Sequence, residues 1–282
     1  MWSIRPRSRR LRCHASGVSL IFAHRGLSSR YPEMTRAAYV AAIEWAQLTR
    51  TELGLECDVQ FSADDQLVCL HDLTLHRTAA RPVRVVDLTV AQLKQIDFGS
   101  WLQVAPTPDQ QEMLTLAELL EMTVAARAAG VPVTLTIETK HPNPRALDVE
   151  DRLAAMLVER GWHAPGSPVR LITFDLNSLE RLDRLLPGLP RTLLLRRDLA
   201  PWRAAPLPDV DAVGVDLALL RRDPGFVEHM LNRGREVHAY TVNHPDDVRF
   251  LRDLGVSGYT TDCPPEVYAV LDEPPMRPLA VA

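Results

Sequence analysis

Two carboxylates spaced two residues apart, Glu56 and Asp58, interrupt the apolar run GLECDVQF, and the next apolar run, QLVCL, ends in His71-Asp72. Alternation along an extended chain puts Glu56 and Asp58 on one face, with Cys57 and Val59 on the other. A two-residue turn at Asp64-Asp65 makes the runs a hairpin and sets Asp58 opposite His71. Two carboxylates and an imidazole then share one small region. Alone, this pattern fits a solvated edge hairpin equally well, so the rest of the chain must decide.

Similar chemistry recurs at other strand-like ends. The run VSLIFA leads into His24-Arg25-Gly26, and VTLTIETK carries Glu138 and Lys140, again two apart on one face. Late segments end in Tyr240-Thr241-Val242-Asn243 and Thr261-Asp262. Three carboxylates without a thiolate form a hard, oxygen-rich site, suited to Mg²⁺ or Ca²⁺ rather than a tetrahedral structural zinc. Arg25 and Lys140 supply the positive charge that a phosphate oxyanion requires. Two histidines, His24 and His71, can divide general-acid and general-base duties near neutral pH. The combination reads as metal-assisted phosphoester cleavage. Lys140 stands out further because the chain has only one other lysine, Lys94, against thirty arginines. Lys94 is expected on the solvent face of a helix or loop.

The elements that must position these residues alternate. Strands are expected around Ile21, Glu56, Thr136, Leu171, Leu193, Val213, Ala239 and Tyr259, with helices at 35–48, 115–130 and 148–160 among others. In NSLERLDRLL, Asn177 is a suitable N-cap, with Leu179, Leu182 and Leu186 on one face. Eight strand–helix units in roughly 250 residues is the length of an α/β (β/α)₈ TIM barrel, here with a β-hairpin after strand two. A doubly wound open sheet is the alternative, but the Gly-rich dinucleotide fingerprint after strand one is missing. In a barrel the active site lies at the carboxyl ends of the strands, where the residues above fall.

Four segments together, AHRGLSSRYPEMT, LECDVQFSADDQLVCLHDLTLHRT, IETK and YTVNHPDDVRFLRDLGVSGYTTDCP, resemble the glycerophosphodiester phosphodiesterase family over about residues 20–265. The resemblance implies a TIM barrel with a small insertion, here within about 73–112. It also implies a catalytic pair at His24 and His71, metal carboxylates at Glu56, Asp58 and Glu138, and phosphate contacts at Arg25 and Lys140. The activity it implies is hydrolysis of glycerophosphodiesters to glycerol 3-phosphate and an alcohol. One histidine would deprotonate the glycerol 2-hydroxyl or a water, and the other would protonate the departing alcohol. Tyr240, and with it Trp101, could line the glycerol end of the substrate. Three positions depart from the family pattern: Met34 stands where Asn is usual, Asp65 where the turn has Gly, and Cys57 where Leu separates the carboxylates. A phospholipase acting on lipid head groups and a non-catalytic phosphate-binding protein remain alternatives on the same barrel. The first requires an apolar rim, for which the insertion offers Phe98, Trp101 and Leu102.

Composition agrees with one large domain: 282 residues, 46% apolar, with a net charge of -4. The reading divides the chain into a flexible basic tail (1–17), a barrel (18–270) and a flexible C-terminal tail (271–282). Mild acidity and the absence of a basic stripe beyond the first dozen residues argue against nucleic acid as a partner. A small-molecule glycerophosphodiester is the expected partner, without stable membrane insertion, and the oligomeric state stays open. Cys13, Cys57, Cys69 and Cys263 lack metal-binding spacing, and the three in or beside expected strands read as buried thiols of a cytoplasmic protein.

Overall fold

The computed structural model describes residues 19–145 and 147–273. The basic tail, Cys13 and the C-terminal tail beyond Glu273 lie outside the described residues.

Eight parallel strands close into a barrel: β1 (Leu20–Ala23), β2 (Leu53–Phe61), β4 (Val133–Thr139), β5 (Val169–Thr173), β6 (Arg191–Leu195), β7 (Ala212–Asp216), β8 (Glu236–Tyr240) and β9 (Gly258–Thr261). The β1–β2 and β1–β9 pairings complete the ring. The remaining strand, β3 (Leu67–Cys69), runs antiparallel on the far end of β2. All eight barrel strands fall where alternating patterns of apolar runs and helices place them.

The period-2 alternation sorts residues cleanly. Leu53, Leu55, Cys57 and Val59 of β2 join Leu135, Ile137, Val213, Val215, Val237 and Tyr259 in one apolar core, packed with residues from the surrounding helices. The opposite face of β2 carries Gly54, Glu56, Asp58 and Gln60 into the barrel. Space there is tight. A Cβ on Gly54 would stand 2.4 Å from the Phe22 ring, and one on Gly258 would stand 2.4 Å from the His238 ring. The interior is filled by aromatic and polar side chains, so only glycine fits beside them.

The surrounding helices begin where side chains can satisfy free backbone N–H groups. Thr35 caps the helix Arg36–Thr49, and Thr115 with Glu118 forms a capping box on the helix Leu116–Ala128. The helix Leu176–Leu185 is capped by Asp175, not by Asn177, so it starts before the expected residue. Its apolar face is as expected, with Leu179 and Leu182 buried and Leu186 buried just beyond its end.

The hairpin differs from expectation by one residue. Val59 pairs with Cys69 and Phe61 with Leu67, while Ser62 N donates to Gln66 O at 2.9 Å, leaving a three-residue loop, Ala63-Asp64-Asp65. Leu70, rather than His71, therefore stands across from Asp58, whose carbonyl accepts from Leu70 N at 3.1 Å. Three-residue hairpin loops end in a left-handed residue, and Asp65 holds that place with φ 60°. A non-Gly residue there costs about 1 kcal/mol. Asp65→Gly is thus expected to keep or raise Tm, even though it gives up an exposed ion pair with Arg145. Asp65→Val should lower Tm. A clear drop in Tm for Asp65→Gly would show that the strain argument is misapplied here.

Between β3 and the helix Leu116–Ala128, the chain forms a small lobe. Its own core holds Val68, Leu70, Leu75, Val85, Leu93, Ile96, Phe98 and Met113. Lys94 does not face solvent, as the sequence implied. Its ammonium donates to Glu112 Oε1 (2.8 Å), Met113 O (2.9 Å) and both oxygens of Glu118 (2.8 and 2.9 Å), clasping the lobe to the barrel helix. No described helix is long and apolar enough to cross a membrane.

Candidate active site

Asp58 and Glu138 are register partners on β2 and β4, and Glu56 lies two residues before Asp58 on the same face. One carboxylate oxygen from each of the three lies within 4.8 Å of the others, and all three residues are buried. Oxygens bound at about 2.0–2.6 Å to a common Mg²⁺ or Ca²⁺ can stand at most about 5 Å apart, a limit these three meet. Asp58 Oδ2 is buried and makes no hydrogen bond among the described residues, with the Arg25 Nε ion-pair contact 3.3 Å away. The donor set therefore fits a hard divalent ion.

Burial and crowding set the charge of this cluster. Burial, then Asp58, pushes the Glu138 carboxyl up to about 8. Burial, then Asp58, also drives Glu56 well above the ordinary carboxylate range. Asp58 is equally buried, but Lys140, Arg25, His71 and His24 override burial and hold it below its usual value. His24 immediately precedes Arg25, whose N–H bonds Glu56, and His71 immediately follows Leu70, whose N–H bonds Asp58 O, so both histidines lie one residue from backbone contacts to the cluster.

Each histidine is backed by a carboxylate. His24 Nδ1 lies 2.6 Å from Asp262 Oδ1, and Asp262 also accepts from Ser28 Oγ (2.9 Å) and Asn243 Nδ2 (2.6 Å). His71 Nδ1 lies 2.6 Å from Asp72 Oδ1. A carboxylate at Nδ1 makes that nitrogen the donor and leaves Nε2 as the reactive atom. Burial lowers the His71 pKa, and Lys140 and Arg25 reinforce the shift against the pull of Asp58. His71 lies one step past its expected ladder position, and Gln60 holds it in place. The Gln60 amide, buried in line with Glu56 and Asp58, donates to Leu70 O (2.7 Å) and Asp72 O (2.8 Å), bracketing His71 from both sides.

The cations are tied to the acids. Lys140 Nζ lies 2.8 Å from Glu138 Oε1 and 3.0 Å from Asp58 Oδ1. Arg25 donates its backbone N–H to Glu56 Oε2 (2.9 Å), places Nε 3.3 Å from Asp58 Oδ2, and donates from its terminal nitrogen to Glu33 (2.9 Å). Behind Lys140, His141 and Ser178 both engage the fully buried Glu150, anchoring the loop after β4. Tyr240 donates its hydroxyl proton to Leu195 O (2.6 Å), and its ring stands edge-on to Phe174. Trp101 sits on the lobe with Arg77 over its ring at 5.7 Å and stays 40% exposed.

Met34 adopts φ 57° and is 1% exposed. A left-handed backbone explains why Asn suits this position. In this chain a buried thioether takes the place of the amide.

Sequence reasoning missed Gln60, Glu33 and Arg77 and gave no role to Asp72 or Asp262. Gln60 was legible in principle, since it shares the face of Glu56 and Asp58. The Asp262–His24 contact joins residues 238 positions apart and exists only once the barrel closes.

A closed parallel barrel with a buried acidic centre and two carboxylate-backed imidazoles at the carboxyl ends of its strands defines a TIM-barrel enzyme. Comparison with known proteins narrows the class. The sequence matches the Glycerophosphoryl diester phosphodiesterase family over residues 24–266, and the chain belongs to that family. It is 34% identical over 268 residues to the "Probable glycerophosphodiester phosphodiesterase 1" of Mycobacterium tuberculosis, covering 92% of this chain and 94% of that protein. It is 32% identical over 257 residues to the glycerophosphodiester phosphodiesterase of Bacillus subtilis, covering 87% and 84%. Among solved structures, an Oleispira antarctica phosphodiesterase in complex with the product sn-glycerol-3-phosphate superposes with a TM-score of 0.73 at 23% identity, covering 91% and 98% of the two chains.

Proposed function

We propose that this chain hydrolyses soluble glycerophosphodiesters to glycerol 3-phosphate and an alcohol, using Mg²⁺ or Ca²⁺ held by Glu56, Asp58 and Glu138. The observation that carries this reading is the acidic triad flanked by both imidazoles and two cationic side chains. Family membership and the named relatives support it. The bound cation would supply charge stabilisation for the phosphoryl oxygens. His24 and His71 are the acid and base. One takes the proton of the attacking nucleophile, either a water or the glycerol 2-hydroxyl, in which case a second step adds water to open the cyclic phosphate, and the other delivers a proton to the departing alcohol. Arg25 and Lys140 meet the phosphate, and the Tyr240 ring lines the glycerol end. The buried free thiols Cys57, Cys69 and Cys263 support a cytoplasmic setting.

The phospholipase reading has less support. Phe98, one of the residues the sequence offers for a membrane rim, is 2% exposed inside the lobe's core, which leaves Trp101, Leu102 and Val104 as the exposed apolar side chains of that segment. Glycerophosphocholine in solution should be cleaved much faster than phosphatidylcholine vesicles. Preference for vesicles would reverse the assignment.

The two lysines should fail differently. Lys140→Met removes charge-assisted contacts worth roughly 1.5–3 kcal/mol each, so kcat/KM should fall about ten- to a hundred-fold. Lys94→Met breaks the lobe clasp and should lower Tm by several degrees while leaving kcat/KM unchanged. Equal kinetic effects for the two would remove Lys140 from the phosphate site.

A further inference from the structure

Arg77 lies in the short helix His76–Ala79 of the lobe, and nothing above gives it a role. Its guanidinium makes three short bonds to two acids. NH1 and NH2 grip the two oxygens of Glu33 at 2.7 and 2.6 Å, and Nε donates to Asp72 Oδ2 at 2.7 Å. Each of these acids touches one side of the active site. Asp72 holds His71 through its other oxygen at 2.6 Å, and Glu33 Oε1 holds the Arg25 guanidinium at 2.9 Å. Arg25 then reaches Asp58 and Glu56. One guanidinium thus joins a chain running from Asp58 and Arg25, through Glu33 and Asp72, to His71.

We infer that Arg77 is a positioning residue that fixes His71 and Arg25 against the acidic centre together. The inference rests on the functional reading above for what those two residues do. Its geometric content stands independently. A planar fork with fixed donor directions can orient two carboxylates at once, whereas a lysine offers a single point charge. Loss of the fork frees Asp72 to turn, so the His71 ring loses its fixed orientation and tautomer. It also frees Glu33, and with it the Arg25 side chain. Misplacement by about 1 Å costs on the order of 10²-fold in rate. The acids that Arg77 orients lie beside the reacting groups, so the loss should fall on kcat more than on KM.

Arg77→Ala and Arg77→Lys, compared with the full wild-type chain, test this role. Arg84→Ala serves as the control, since among the described residues the Arg84 side chain pairs with exposed Asp87, elsewhere in the lobe. Arg77→Ala should lose about 10²-fold in kcat with a small change in KM, and millimolar guanidinium should restore part of it. Arg77→Lys should recover little, despite its charge. Arg84→Ala should match wild type. Independently of turnover, ¹⁵N spectra should show a single Nδ1–H tautomer for His71 in the wild-type protein and a mixture in Arg77→Ala. Full rescue by Arg77→Lys, or a kinetic loss equalled by Arg84→Ala, would reduce Arg77 to a salt bridge that stabilises the lobe. An unchanged His71 spectrum in Arg77→Ala would overturn the proposal outright. The spectrum requires no substrate, so it decides the positioning role even if the wild-type chain cleaves no glycerophosphodiester, the result that would refute the functional reading alone.

Discussion

Excess EDTA should abolish turnover, and Mg²⁺ or Ca²⁺ should restore it. Glu56, Asp58 and Glu138 bring three buried carboxylates within 4.8 Å of one another, and without a divalent cation the cluster accommodates them by holding protons. Burial and Asp58 push Glu138 up to about 8, so near neutral pH it is largely protonated and a poor ligand. Cation binding must expel that proton, and affinity should rise with pH through this range. The sign for stability follows from the same shift. A carboxyl raised from its ordinary 4.5 to about 8 in the folded state contributes stability that is present at acid pH and lost as pH climbs through that window. The chelated protein should therefore lose Tm as pH rises from about 5 to about 8, and Glu138→Gln should flatten the slope. The Tm gained on adding cation should grow over the same interval, because ligand binding stabilises the native state by mass action. Full activity in excess EDTA, or a cation-induced Tm gain that ignores pH, would contradict the acidic triad as a metal centre.

Removal of either imidazole should cost nearly as much. Positioned proton transfer contributes about 10²–10⁴-fold, so His24→Ala and His71→Ala should each lower kcat by at least that. The fold should survive both changes, because neither ring belongs to the apolar core. The backing acids should give a graded series. Asp262→Asn leaves His24 a partner without charge, and Asp72→Asn does the same for His71. Each should slow turnover less than loss of the ring itself, because orientation is weakened while the proton carrier remains. The pH–rate profile should have two limbs, and each histidine variant should lose one of them. A variant lacking either histidine that kept a tenth of wild-type kcat would contradict the pairing.

The barrel was legible because its signal is repeated and local. Apolar strands separated by amphipathic helices recur eight times, and alternation within each strand pairs Glu56 with Asp58 and Glu138 with Lys140, while the β2–β4 register sets Asp58 beside Glu138. What failed was fine register and long-range pairing. Asp64-Asp65 signals a turn, but nothing in Ala63-Asp64-Asp65 separates a two-residue loop from a three-residue one, and that single step moved His71 off the Asp58 ladder. Asp175 and Asn177 are both able caps, and only the chain's exit from β5 decides between them. Lys94 looked solvent-facing because its partners, Glu112 and Glu118, come from the far side of the lobe. Arg77 and Glu33, 44 residues apart, are joined only by the tertiary fold. Local periodicity thus carries the scaffold and the acidic face, while the bonds that aim the histidines depend on closure of the ring.

Product analysis of one substrate tests the central claim most directly. Glycerophosphocholine incubated with the full chain and Mg²⁺ or Ca²⁺, followed by ³¹P NMR, reports which ester bond breaks. Cleavage to glycerol 3-phosphate and choline, absent in Glu56→Gln and in EDTA, is the predicted result. Release of phosphocholine and glycerol, or equal turnover by Glu56→Gln, would contradict it.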